Sequence, residues 1–91
     1  MSNNLIKEII DKKDLIIQYI NQISANQGWF TWYDTQVMQY NRDLRTKGTS
    51  DINIAELDLQ AINKANEINM ARRKIAEIES SISTLEQQLL V

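Results

Sequence analysis

Apolar residues recur every third and fourth position along two long stretches of this 91-residue chain, and a short polar segment separates the two. The second stretch is the cleaner. Ile54, Leu57, Ala61, Lys64, Ile68, Ala71, Ile75, Ile78, Ile82, Leu85 and Leu89 form a heptad seam with one polar interruption, Lys64. That spacing lines one face of an α-helix and predicts a helix over 54–89. Its start is marked by Asn53-Ile54-Ala55-Glu56, a capping box in which Asn53 caps and Glu56 follows three residues later, while Ile52 is placed to staple onto Leu57.

The first stretch predicts a helix over 4–46, with Asn3 or Asn4 as its cap. Ile6, Ile9, Ile16, Ile20 and Ile23 make a seam in which Lys13 fills the vacant slot, and Leu5, Ile10, Leu15 and Ile17 widen the stripe beyond one contact. Phe30, Tyr33, Val37, Tyr40 and Leu44 then repeat the pattern in a shifted register, so the two series meet at Phe30 in a stammer. Gly28 stands beside that junction, and Thr31 followed by Asp34 is a partial restart signal. One interior glycine costs only about 1 kcal/mol, which favours a single helix, kinked near Gly28, over one split across 27–31. Residues 47–53 hold Gly48, Thr49, Ser50 and Asp51 and form the loop, with Gly48 placed as a C-terminal cap.

The expected fold is therefore all-α: one domain, 1–91, folded as a long antiparallel hairpin. The alternative is a compact three-helix bundle with a turn at Gly28. A reversal near residue 49 sets Leu44 against Ile54 and Leu57, Ile16 against Ile82, and Ile9 against Leu89. It also brings Lys64 near Asp34 and Lys13 near Glu86, two pairs suited to fixing register more than stability. A lone hairpin has one shared seam, so Leu5, Ile10, Leu15, Ile17, Leu59, Ile62 and Met70 stay wet. Burying each such side chain is worth about 1.5–3 kcal/mol, and a homodimer forming a four-helix bundle would do so.

Composition removes most chemistry. There is no cysteine and no histidine. Disulfides, thiolate ligands and the commonest general base and metal ligand are thus excluded. The carboxylates Asp11, Asp14, Glu56, Asp58, Glu77 and Glu79 fit no metal-binding spacing. The serines lack a base, and no glycine-rich phosphate loop occurs. No enzyme, cofactor or metal is expected. No apolar run reaches the length of a membrane span, and Lys7, Glu8 and Asp11 do not suit a secretory leader, so a cytoplasmic protein is expected. Arg72-Arg73-Lys74 and the group Arg42, Arg45 and Lys47 spread around their helices rather than forming a stripe. With a net charge of -2, nucleic acid and membrane are poor partners.

Trp29, Phe30, Trp32, Tyr33 and Tyr40 gather most of the aromatic residues. Phe30, Tyr33 and Tyr40 belong to the seam, which sends at least one of Trp29 and Trp32 to a surface or an interface. The function this pattern supports is a non-enzymatic interaction protein: a self-associating helical adaptor, assembly factor or small chaperone that binds itself or another helical protein. A phage-tail or secretion-machine assembly component is one alternative, and a helical module for nucleic acid or anionic membrane is another.

Overall fold

The computed structural model describes residues 2–91. Two helices, α1 (Ser2–Lys47) and α2 (Ile54–Leu90), pack side by side as an antiparallel hairpin. The molecule measures 69 × 15 × 14 Å. At 1.5 Å per residue, the 46 residues of α1 account for about 69 Å. α1 thus runs the whole length of the molecule. Gly28 sits inside an unbroken helix with an ordinary negative φ, so neither the split over 27–31 nor the three-helix bundle forms. Thr31 is likewise interior, and its carbonyl accepts from the Thr35 hydroxyl at 3.1 Å. Asn3 and Asn4 fall within the first turn rather than ahead of it.

The reversal is built from local signals. Gly48 takes φ 74°, and its N–H donates to the Leu44 carbonyl at 3.1 Å, the single bond of a left-handed glycine cap. The Ser50 hydroxyl donates to Asp43 Oδ2 at 2.8 Å and accepts from the Ile52 N–H at 3.2 Å. At α2, Asn53 Oδ1 accepts from the Glu56 N–H at 3.2 Å. Glu56 answers through the Asn53 side-chain amide at 3.4 Å. This is a variant of the capping box, closed between side chains on one half.

The loop also sets the register, and the register differs from the expected one. Ser50 lies level with Asp43, so residues 48–53 run back down α1 before α2 begins. Tyr33 Oη donates to Asp58 Oδ1 at 2.6 Å, and Lys64 Nζ donates to Asn26 Oδ1 at 3.4 Å. Ile9 clusters with Ile82 and Leu85, not Leu89. The pairing is displaced by about two turns from that of a symmetric connector. The pairs Lys64–Asp34 and Lys13–Glu86 are consequently not formed, and Lys13, Asp34 and Glu86 are all exposed. The ion pairs among the described residues are Lys7–Asp11 at 2.9 Å and Lys74–Glu77 at 3.5 Å, both within one helix.

The α2 side of the seam follows the expected positions as far as Leu85, with Ile68, Ala71, Ile82 and Leu85 buried and Ile54, Leu57, Ala61, Lys64, Ile75 and Ile78 half-buried, while Leu89, expected in it, is exposed. The α1 side does not. Beside half-buried Trp29, Gln36 and Asp43, its seam runs Leu5, Ile9, Lys12, Ile16, Tyr19, Ile23, Asn26, Phe30, Tyr33, Val37, Tyr40. That series alternates steps of four and three without a stammer. Ile6, Ile20 and Leu44, expected in the seam, are exposed, and Leu5, expected to stay wet, packs against the core cluster. The cause is rigidity. Ile9, Ile16, Ile23 and Phe30 can share a seam with the column of Ile6 and Ile20 or with that of Leu5 and Tyr19. Past Phe30 the first column becomes Asp34 and Asn41, and the second becomes Tyr33 and Tyr40. An unbroken helix presents one column throughout, so the tyrosines draw in Lys12 and Asn26 and turn two isoleucines outward.

Candidate functional site

No helix among the described residues is long and apolar enough to cross a membrane, and no three Asp or Glu residues among them gather in a metal-sized cluster. The basic side chains of α1 serve local ends. Arg42 donates to Gln39 at 3.5 Å and Arg45 to the Asn41 carbonyl at 3.4 Å. What remains for function is the surface of a thin ribbon. Helical periodicity divides that surface into two sides flanking the seam and the two outer backs.

One side carries the aromatic cluster. Trp29 stacks on Tyr33 one turn later, with ring centroids 5.3 Å apart and planes at 16°. It meets Phe30 edge-on at 5.2 Å and leans on Trp32 at 6.0 Å. Phe30 and Tyr33 are half-buried in the seam, Trp29 is half-buried beside it, and Trp32 is exposed. The Tyr33–Asp58 bond ties the cluster to α2. Below the loop, an open cleft of about 400 Å³ runs past Trp32, Gln36, Ile52, Leu57 and Gln60, with the carboxylates of Asp51 and Glu56 on its rim. A smaller hollow of about 200 Å³ on the same side is lined by Tyr19, Gln22, Glu67, Met70, Ala71 and Lys74. Polar residues interrupt this side at every turn.

The other side carries an aliphatic stripe interrupted once, by Lys13. Ile6, Ile10, Ile17 and Ile20 are 45%, 52%, 54% and 51% exposed. They follow one another at steps of four, seven and three, with exposed Lys13 in the gap. Leu15, Ile17, Leu59, Ile62 and Met70 are all exposed, but they do not form one patch. Leu15 and Met70 fall on the aromatic side, Ile17 and Ile62 on the isoleucine side, and Leu59 on the back of α2. Ile6 and Ile20 are members of the stripe that a purely apolar seam search assigns to the interior. The signal that could have found them is the change from isoleucine to Asp34 and Asn41 farther along the same column.

The chain matches no protein-family model, and no curated protein or solved structure is significantly similar to it.

Proposed function

We propose that this chain is a non-enzymatic structural protein, a self-associating helical adaptor or assembly factor that works through coiled-coil packing. One observation carries the reading: the imbalance between what the hairpin buries and what it leaves wet. Among the described residues five apolar side chains are buried, and none is below 2% exposed. Fourteen large apolar side chains remain exposed on the same thin rod. A monomer that served only to be soluble would not keep apolar columns at helical spacing on its outside, because scattered apolar residues need no explanation but periodic ones do. Helix faces with apolar residues three and four positions apart are made to receive other helices. The work of such a protein is done by shape and register, with the partner being a second copy or another helical protein in the cytoplasm.

Light scattering on the purified chain at micromolar concentration tests the reading. The expected mass is at least twice the 10.6 kDa of one chain. A species that stays at 10.6 kDa over the whole concentration range overturns it.

A further inference from the structure

We propose that a second copy of this chain covers the isoleucine stripe of α1, antiparallel and two-fold, so that the N-terminal thirds of two hairpins overlap end to end. The inference rests on the self-association reading above and names its surface and geometry.

The occupant follows from the pattern of the stripe. Ile6, Ile10, Lys13, Ile17 and Ile20 reproduce on the outside the alternation of fours and threes that the interior seam uses. A surface with that spacing is complementary to another helix carrying it. A lipid surface is a poorer occupant, because Lys7 and Lys13 beside the stripe are offset by Asp11 and Asp14 and anionic headgroups need an excess of cations. The aromatic side is a poorer surface for a second copy, since Gln22, Gln36, Glu67 and Lys74 break it into short segments.

Charge then chooses the arrangement. Two stripes set parallel put Lys13 against Lys13 in one layer. Set antiparallel with Ile6 opposite Ile17 of the second copy, each Lys13 lies over Ile10 instead, its stem on apolar surface and its ammonium in water. The flanking column of α1 then places Lys7 beside Asp14 of the second copy, twice by symmetry. Sliding the copies by one heptad keeps the isoleucines matched but brings Asp14 against Asp14. Lys7 pairs with Asp11 in the isolated hairpin, and that exposed pair is weak enough to exchange.

The overlapped dimer is about 110 Å long, given helices of 1.5 Å rise and hairpins of 69 Å. A four-helix bundle packed along its full length would be about 70 Å. Small-angle scattering and cross-linking separate the two. The chain has no cysteine of its own, so chains carrying Ile6→Cys and chains carrying Ile17→Cys can be mixed and oxidised mildly. The expected result is a mixed disulfide in large excess over either like pair, and a maximum dimension near 110 Å for the unmodified chain. Ile17→Asp should return the mass to 10.6 kDa with helical circular dichroism retained, whereas Met70→Asp on the opposite side should not. A dimer with no preference for the mixed disulfide, or one about 70 Å long, overturns this geometry and leaves self-association standing. A monomer at all concentrations overturns both.

Discussion

Asn26 is a buried polar side chain within the seam, 6% exposed. Its Oδ1 accepts from Lys64, but its Nδ2 has no partner. A buried donor left unmet costs about 1–3 kcal/mol, so this layer holds the two arms in place more than it holds them together. Polar residues at a seam position specify register at a cost in stability. Replacing both partners, Asn26→Leu with Lys64→Leu, should therefore raise stability by about 1–3 kcal/mol in urea denaturation. It should also broaden the distances between spin labels placed on the two arms, because Leu–Leu layers match equally well one heptad away. A stabilised protein whose distances stay sharp would show that the loop alone sets register. Tyr33 makes a second residue-scale link. Donation to Asp58 favours the protonated phenol, helped by desolvation and by the charges of Asp58 and Asp34, and holds its pKa above the usual 10.0. The folded-state value is the higher one. The contribution of this bond is thus complete below the unfolded pKa and is lost as pH rises through the folded one. Tyr33→Phe should remove the late-titrating phenol from an ultraviolet pH titration and flatten the fall of stability on the alkaline side.

At the scale of elements, the two glycines make opposite predictions. Gly28 lies in a helix interior with ordinary φ, and nothing stands within 4 Å of where a Cβ would be. Gly28→Ala should stabilise by about 0.5–1 kcal/mol. Gly48 has equal room but φ +74°, where an L side chain costs about 1–2 kcal/mol. Gly48→Ala should destabilise by that amount in the same denaturation series. The contrast also shows what was legible in the sequence. The cap at Gly48, the box at Asn53 and Glu56, and the α2 seam from Ile54 to Leu85 could be read directly, because each rests on contacts a few residues apart. The α1 seam could not. Taking Ile6 and Ile20 inward is right for residues 6–23 alone, and it fails because forty-six residues of one rigid helix must agree on a column. Tyr33 and Tyr40 decide that vote from more than one helical turn away, and local hydrophobicity does not register it. The reversal was placed correctly but paired wrongly for a related reason. The Ser50–Asp43 bond folds the loop against α1, and no spacing rule states how far down a loop will lie. The exposure of Ile6 and Ile20 is the direct outcome of the first effect.

For the molecule as a whole, the shape limits what a single chain can hold. A rod 15 Å by 14 Å in section has one layer of contact and no interior beyond it. A buried cluster joins Ile9, Ile82 and Leu85 near the open end, with Leu5, Ile16 and Ile78 against it. The isoleucine stripe lies on that same third of α1. Covering it would thicken the molecule where its own core is best formed and leave the loop end, with Trp32 and the cleft beside it, free. Folding and association are then coupled, because burial that needs two chains contributes only when both are present. The apparent melting temperature should therefore climb with protein concentration, as mass action requires when the folded state binds its like and the unfolded state does not. Melting curves at 1 and 100 times a starting concentration should differ by the equivalent of about 2.7 kcal/mol or less. Ile17→Asp should abolish the dependence and lower the melting temperature to one fixed value, while Met70→Asp should keep it. If the wild-type curves superimpose across that range, each hairpin is stable alone, and the exposed isoleucines contribute nothing to the stability of the fold.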